Sequence, residues 1–409
     1  MNPTQDLPAL LVIASTYPRW SGDPEPGFVH QLARRMTAAY RVTVLCPHAE
    51  GAARSEWMDG VEVIRYRYAP ARWQNLVNDG GIVTNLRRDR SKLLLVPPFL
   101  LAQFWACWRL LRRRSYDAVH AHWLLPQGLL VAIATRLSGR KPPFLVTSHG
   151  GDLFSLKAWP WRLLKRYVLR QAGAAAVVSE GMLDEVGRLG VDSSRVLVES
   201  MGVDLDGLFV PDPAVPRSSA DLLFVGRLVE KKGLGHLINA MPAIISARPD
   251  ARLTVIGFGP EMEERLAQVQ ALGLNNVVQF LGARVQADLP AFYQRATLFV
   301  APFVEARGGD QDGLGLVLVE ALGCGCPVLA SDMPATSQLA TRTEGLRLVA
   351  PGDPRSLAEK VLEMLDAPPA VKRSDIACFN WQARADAYVA LVARLIARDA
   401  SLRPVAGTG

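Results

Sequence analysis

Gly308-Gly309-Asp310-Gln311-Asp312-Gly313-Leu314-Gly315-Leu316-Val317-Leu318-Val319-Glu320-Ala321-Leu322-Gly323 reads as a glycine-containing loop that opens into a helix. One carboxylate, Asp312, stands at its mouth, and a second, Glu320, follows eight positions on. The first N–H groups of a helix lack intrahelical acceptors and sit at the positive end of its dipole, so a helix start favours phosphate. Two carboxylates flanking such a start can accept hydrogen bonds from sugar hydroxyls. One element could therefore hold a diphosphate and two sugars, which are the parts of a nucleotide-sugar.

Working outward, continuous apolar runs alternate with helical stretches on both sides of this loop. A first set of strands is expected near Leu10–Ala14, Val42–Cys46, Val61–Tyr66, Ala118–Ala121, Phe144–Ser148, Ala175–Ser179 and Val196–Val198. A second is expected near Leu222–Gly226, Leu253–Gly257, Val277–Leu281, Leu298–Ala301, Val328–Ala330 and Leu346–Val349. Apolar strands alternating with helices imply parallel sheets covered on both faces. Two such sets in 409 residues imply an α/β chain of two Rossmann-like domains. Pro211, Asp212, Pro213 and Pro216 place the boundary near residues 203 to 218. The expected organisation is 1–205, then 206–375, then a helix over 376–400. In that helix Tyr388, Leu391, Val392 and Leu395 share one face. Residues 399 to 409 are expected to fray.

Composition narrows the class. With 49% hydrophobic and 21% charged residues the chain has the make-up of a soluble globular protein. Five scattered cysteines form no Cys-x-x-Cys pair, so neither a zinc site nor a disulfide framework is expected. No signal pattern is visible at the N-terminus, and a cytoplasmic protein is expected. The run Leu93 to Trp108, broken by Pro97-Pro98 and Gln103, is expected to be too short to span a bilayer. The net charge of +7 is not interleaved with a stacking platform, so nucleic acid is not the expected partner. Basic residues instead gather beside tryptophans, in Leu100–Arg114 and in Ala158–Arg170. Such stretches suit peripheral contact with an anionic membrane. They equally suit helices whose tryptophans face a core and whose arginines are solvated.

Several shorter motifs lie at strand ends, where open α/β sheets bind ligands. Gly226-Arg227 and, beyond it, Lys231-Lys232-Gly233 could clamp a diphosphate between cations. Gly257-Phe258-Gly259-Pro260 and Gly282-Ala283-Arg284 suggest the wall of a nucleotide pocket. Gly-x-Gly without a third glycine is a weak dinucleotide signal. In the first domain, His149-Gly150-Gly151-Asp152 follows a strand, and His120 and His122 share one face of another. With Gly27 at a helix start, these residues are read as lining an acceptor site. Asp310-Gln311-Asp312 could hold a divalent cation, but the following Gly-Leu-Gly and Glu320 favour a metal-free reading in which Asp312 belongs to the spaced acidic pair.

Together these motifs resemble the GT-B glycosyltransferases, in particular the retaining group called glycosyltransferase family 4. The resemblance covers nearly the whole chain, through Asp117–His122, Ser148–Asp152, Val178–Glu180, Gly202–Asp204, Gly226–Gly233, Gly257–Pro260 and Asp312–Glu320. It implies two Rossmann-like domains facing across a cleft, with the last helix crossing back to the first domain. It implies a retaining, metal-independent sugar transfer from a UDP- or GDP-sugar to a glycan or lipid-linked acceptor, in cell-surface polysaccharide or glycoconjugate synthesis, with no cofactor. Arg227 and Lys232 match the diphosphate-binding pair, and Glu320 matches the ribose-binding glutamate. Asp312 stands where the family usually carries the glutamate that contacts the donor sugar. Backbone groups of Gly313, Leu314, Gly315, Leu316 and Val317 would reach the sugar and diphosphate, beside Gly257, Gly259 and Arg284. His149 matches the histidine beside the reacting centre, so His149, Asp312, Arg227 and Lys232 are the expected catalytic set. Gly27, His120, His122, His149 and Asp152 are expected on the acceptor side. Two departures bear on that side: Gly27-Phe28 replaces a common Gly-Gly, and Met201 replaces a common Asn before Gly202-Val203-Asp204. The alternatives are a nucleotide-sugar epimerase of similar fold and a non-catalytic nucleotide-sugar-binding protein. A dinucleotide oxidoreductase is disfavoured, because Ser15 to Gly27 contains only Gly22 and Gly27.

Overall fold

A computed structural model describes residues 7–23, 27–78 and 81–402. The chain divides into two compact units. Unit 1 comprises residues 1–178, 183–199 and 382–409, and unit 2 comprises 179–182 and 200–381.

Unit 1 holds an eight-stranded sheet. Its strands are β1 (Ala9–Ile13), β2 (Arg41–Pro47), β3 (Ser55–Met58), β4 (Val61–Tyr66), β5 (Ala118–His122), β6 (Phe144–Ser148), β7 (Ala174–Val177) and β8 (Val196–Val198). Their order is β3-β4-β2-β1-β5-β6-β7-β8. Every pairing is parallel except β3 with β4. Its helices are α1 (Phe28–Met36), α2 (Ile82–Arg88), α3 (Val96–Arg113), α4 (Leu129–Ser138), α5 (Gly151–Phe154), α6 (Trp159–Gln171) and α7 (Leu183–Arg188). The central strands are buried along their whole length, β1, β5 and β6 at every position. That burial explains why they read as unbroken apolar runs.

Unit 2 holds a six-stranded, wholly parallel sheet. Its strands are β9 (Asp221–Val225), β10 (Arg252–Ile256), β11 (Val278–Phe280), β12 (Leu298–Ala301), β13 (Val328–Ser331) and β14 (Leu346–Val349), in the order β11-β10-β9-β12-β13-β14. The helices are α8 (Leu234–Ala247), α9 (Met262–Ala271), α10 (Leu289–Arg295), α11 (Leu316–Gly323), α12 (Pro334–Ala340) and α13 (Pro354–Asp366). One core lies between the sheet and two packed helices: Leu222 and Phe224, Leu253 and Val255, and Leu298 and Val300 meet Leu237, Met241, Val361 and Met364. The strand residues alternate and the helix residues recur at three- and four-residue spacing, as the two periodicities require. Each such side chain, fully buried, contributes about 1.5–3 kcal/mol.

The last helix, α14 (Trp381–Leu402), starts in unit 2 and belongs to unit 1 from Gln382 onward. Within unit 1 the Tyr388 hydroxyl donates to the Glu199 carbonyl (2.8 Å), and the Tyr40 hydroxyl donates to the Val389 carbonyl (2.9 Å). Within unit 2, Val203 N–H donates to the Phe379 carbonyl and Trp381 N–H to the Val203 carbonyl, so the Gly202-Val203-Asp204 segment pairs with the chain just before α14.

Three expectations need correction. A 3₁₀ turn over Arg90–Leu95 runs directly into α3, so Pro97-Pro98 does not break the helix. Both prolines sit in the first turn, where no intrahelical N–H is required of them. Arg90–Arg113 is therefore long and apolar enough, by length and composition, to cross a membrane. It nevertheless buries Phe99, Gln103, Cys107 and Leu111 along one stripe. The tail does not fray at 399, because α14 continues to Leu402; residues 403–409 lie outside the described residues. The helix expected from 376 begins at Trp381, after a 3₁₀ stretch over Arg373–Phe379.

Candidate functional site

In unit 2 the sheet order reverses between β9 and β12, with β10 on one side of β9 and β12 on the other. Ligands of open α/β sheets bind outside the carboxyl ends of the strands at such a point. Gly226-Arg227 leaves β9, Gly257 leaves β10, Gly282 follows β11, and Pro302-Phe303 leaves β12. Backbone bonds knit these loops together. Gly226 N–H donates to the Ile256 carbonyl, Gly257 N–H to the Gly282 carbonyl, and Val304 N–H to the Lys231 carbonyl. Two glycines are required by this approach. A Cβ at Gly257 (φ 143°) would lie 1.8 Å from the Gly226 carbonyl oxygen, and one at Gly233 (φ 67°) 1.7 Å from that of Pro302.

Charge concentrates where these loops meet. Lys231 Nζ lies 3.1 Å from Asp310 Oδ1 and 3.3 Å from Asp312 Oδ1. Lys232 pairs with the other oxygen of Asp312, and its ammonium stands 4.3 Å from the centre of the Phe303 ring. Burial alone would raise the Asp312 carboxyl, but Lys232 and Lys231 hold it well below the usual carboxylate range. Burial alone would lower Lys231, but Asp312 and Asp310 hold it above its ordinary value. Arg227 is half-buried and close enough to Lys231 to repel its charge.

From Asp312 the chain passes through Gly313, buried Leu314 and the left-handed Gly315 into α11. Leu314 faces the core, so only its backbone is free to meet a ligand. Glu320 is buried one turn into α11 and receives hydrogen bonds from Tyr293 OH (3.1 Å) and Gln286 Nε2 (3.3 Å). Burial pushes its carboxyl up to about 7 against these two bonds and the field of Lys232. Gly259 packs against the Leu228 backbone, and Arg284 is exposed on the loop after β11. The structure thus gathers Lys232, Asp312 and Glu320 at one strand-end region and adds Lys231, Tyr293, Gln286 and Phe303. Lys231 stood beside Lys232 in the sequence; Tyr293 and Gln286 carried no signal of their own.

In unit 1 the corresponding region is built on histidine and aromatic rings. A column of rings runs from α14 outward. Tyr388 stacks on His120 (centroids 5.5 Å apart), His120 packs at a tilt on His122 (4.2 Å), and His122 stacks on His149 (5.2 Å, planes 15° apart). Phe28 and Trp123 pack on His149 at 4.9 and 5.0 Å. His122 Nδ1 and His149 Nε2 share a 3.0 Å hydrogen bond, and His120 Nε2 bonds Thr147 Oγ1 at 2.9 Å. Burial pushes His120 down to about 3 and lowers His122 and His149 as well, so all three rings are neutral near pH 7.

This geometry corrects the expectation that His120 and His122 line the acceptor site, and it defines the surroundings of Asp152 and Gly27. His120 is wholly buried and His122 nearly so, hence neither lines a surface; they support His149, which is half-buried. Asp152 is already occupied. Its carboxylate accepts from the Leu124 N–H (2.6 Å), the Ser148 hydroxyl (2.9 Å) and the His149 N–H (3.1 Å). Gly27 heads α1 with an ordinary φ of −88°, and a Cβ there would touch only Pro18 at 3.7 Å, so neither backbone nor space demands glycine. Pro26 lies outside the described residues. Sequence reasoning missed Lys165. This buried ammonium donates to the carbonyls of Leu153 and Ser155 and so fixes the far end of the loop that starts at His149. No group of three or more His, Cys, Asp or Glu side chains suited to a metal occurs among the described residues.

Comparison with known proteins agrees with this layout. Residues 28–202 match the family model described as glycosyl transferase 4-like domain, and residues 219–367 match glycosyl transferases group 1. A GDP-mannose-dependent monoacylated alpha-(1-6)-phosphatidylinositol monomannoside mannosyltransferase of Corynebacterium glutamicum is 39% identical over 144 residues, 35% of this chain and 37% of that protein. A phosphatidyl-myo-inositol mannosyltransferase of Mycobacterium leprae is 31% identical over 61% of this chain and 64% of its own length. The matched region thus spans under two thirds of each relative. Among solved structures, sucrose-phosphate synthase from Thermosynechococcus elongatus superposes with a TM-score of 0.75 at 22% identity, covering 96% of this chain and 100% of that one. With both units matched by family models and the whole fold matched by a GT-B structure, the chain belongs to the GT-B glycosyltransferases of the family 4 type.

Proposed function

We propose that this chain transfers a sugar, with retention at the anomeric carbon and without a metal, from a nucleotide-sugar to a glycan or lipid-linked acceptor. The observation that carries this reading is the charged strand-end site of unit 2. There Lys231, Lys232 and Asp312 meet beside the start of α11, and Glu320 lies one turn further in. In the proposed mechanism the donor's diphosphate takes Lys232, Arg227 and the first N–H groups of α11. These stabilise the charge that develops on the departing nucleoside diphosphate as the anomeric C–O bond breaks and the acceptor oxygen bonds the same face of the anomeric carbon, its proton passing to the departing phosphate oxygen. Glu320 accepts from the ribose hydroxyls and Asp312 from a hydroxyl of the donor sugar. The pairing of Asp310 and Asp312 with lysines supports the metal-free reading, because their oxygens are already matched by cations. In unit 1, neutral His149, oriented by His122, contacts the acceptor side of the reaction. The protein acts in the cytoplasm at the inner face of the membrane, in the synthesis of a cell-surface polysaccharide or glycoconjugate.

The C. glutamicum relative is described as GDP-mannose-dependent, so GDP-mannose is the first donor to test. A thermal-shift panel of GDP- and UDP-sugars should yield one stabilising donor. That donor should then support transfer to a mannosylated or lipid-linked acceptor at an undiminished rate in EDTA. Stabilisation by NAD alone, or turnover abolished by the chelator and restored by a divalent cation, would overturn the reading.

A further inference from the structure

A groove of about 300 Å³ lies in unit 1 between α6 and the end of α7. Arg162, Arg166 and Arg188 line it together with Trp159 and Leu163. The Arg162 guanidinium donates to the Arg188 carbonyl, and Arg188 pairs with Glu185 (3.0 Å). The Arg166 Nε is buried without a partner among the described residues. A buried N–H without an acceptor is unfavourable, and an anionic oxygen entering the groove would relieve it. The apolar lining is turned outward, with Trp159 73% and Leu163 52% exposed, and Trp161, beside it at the start of α6, is 42% exposed. Indole rings at the start of a basic helix, beside a socket of guanidinium groups, suit the boundary between headgroups and acyl chains.

α7 carries Asp184 and Glu185, the latter paired with Arg188, whereas the chain leading up to and through α6 is almost free of acidic residues. Between Arg90 and Gln171 the acidic residues are Asp117 and Asp152 alone, and both accept hydrogen bonds from the unit's own backbone, Asp117 from Ala9 and Asp152 from Leu124. The helical layer continues from α6 to α4 and from α4 to α3, and the Trp108 indole donates to the Leu137 carbonyl across it. Leu101 (68%) and Trp105 (57%) on α3 and Leu137 (59%) at the end of α4 are exposed on this layer.

We infer that the α6–α7 groove is a binding site for the phosphate-bearing headgroup of an anionic phospholipid, and that it seats unit 1 on a bilayer. Arginine forks bind the phosphate oxygens, while Trp159 and Leu163 sit among the upper acyl carbons. The inference deepens the membrane-side part of the proposed function and does not depend on the transfer chemistry.

Sedimentation with vesicles tests it. The protein should bind vesicles of equimolar phosphatidylglycerol and phosphatidylcholine and ignore pure phosphatidylcholine. Arg162→Gln and Arg166→Gln should each weaken binding about fivefold (about 1 kcal/mol). Trp159→Ala should weaken it by about fivefold or more with net charge unchanged. Trp159 is exposed, so this variant keeps its fold and decides the case if an arginine variant does not. Wild-type binding by Trp159→Ala, or equal binding to both vesicle types, would overturn the site. Donor-dependent transfer to a water-soluble acceptor, measured on the same variants, should be unchanged. Loss of vesicle binding with transfer intact thus separates this site from the transfer reading.

Discussion

The two units place their candidate residues at equivalent positions, the carboxyl ends of parallel strands, and furnish them in opposite ways. Unit 2 brings charge: Lys231 and Lys232 hold the Asp312 carboxyl low, and Asp312 and Asp310 hold Lys231 high. The ring column of unit 1 brings none. His122 stacks on His149 and His120 packs at a tilt on His122, and burial holds every ring neutral. A paired, preorganised field can take up the negative charge of a departing diphosphate with little rearrangement. A neutral ring stack can orient a hydroxyl without competing for that charge. In the proposed transfer the same scaffold gives an electrostatic task to unit 2 and a positioning task to unit 1.

If that division is right, the largest effect should come from the charged unit. Arg227→Ala should lower turnover by at least about 10²–10³-fold, the usual consequence of removing one donor that stabilises a developing anion. The measurement is steady-state turnover of the purified, folded variant with its identified donor. Near-normal turnover would remove Arg227 from the mechanism and leave Lys232 and the start of α11 to carry the diphosphate.

Glu320 sharpens the comparison, since it is the one member of the charged site that burial drives toward neutrality, to about 7. A carboxyl raised in the folded state binds more protons there than in the unfolded chain, so stability falls as pH rises from about 4.5 to about 7. At 1.36 kcal/mol per unit this amounts to roughly 3 kcal/mol. Glu320→Gln removes the ionisation and keeps an acceptor for Tyr293 or Gln286. The variant should match wild type near pH 4 and be more stable by up to that amount at pH 8, while binding the donor less tightly. Denaturant melts at the two pH values check the first part, and titration calorimetry the second. A variant less stable than wild type at pH 8 would mean that ionised Glu320 is well solvated or firmly paired.

How much of this was legible in the sequence follows burial. The central strands announced themselves because parallel strands covered on both faces are continuous apolar runs. β3, Ser-Glu-Trp-Met, went unread because an antiparallel edge strand half exposed to solvent has no such run. Pro97-Pro98 misled because the same residues that break a helix interior are welcome in its first turn. Within the charged site, Lys232, Asp312 and Glu320 lie in local motifs and could be named. Tyr293 and Gln286 could not, because they reach Glu320 from 27 and 34 residues away through the packing of neighbouring elements. His120 and His122 were placed on the correct face of β5, but their burial under Tyr388 depends on a helix more than 250 residues later in the chain. A periodicity argument has no access to that contact.

Smaller effects belong to the neutral unit. His122→Phe keeps a ring in the stack and deletes the 3.0 Å bond to His149. A neutral hydrogen bond is worth about 1 kcal/mol, so turnover should fall about fivefold at every pH from 6 to 8. A dependence on pH in that range, lost in the variant, would show that the pair titrates and that unit 1 does bring charge.

Tyr388→Phe is the mildest test and isolates the end of the column. The ring remains to stack on His120, while the hydroxyl's 2.8 Å bond to the Glu199 carbonyl and its hydrogen bonding with Thr147 are lost. Stability should drop by about 1 kcal/mol, a shift of roughly 2–4 °C in Tm for a unit of this size, with turnover unchanged. Tyr388→Ala would also empty the space beside His120 and should cost about 3–5 kcal/mol, as for other buried aromatic residues. The pair of variants separates the two roles that α14 could play in unit 1. If the phenylalanine variant turns over normally and the alanine variant does not, even at a temperature where it is folded, then α14 positions His149 by contact through His120 and His122. If both keep full turnover while folded, the ring column is packing alone, and the orientation of His149 must come from Asp152 and Lys165 at the two ends of its own loop.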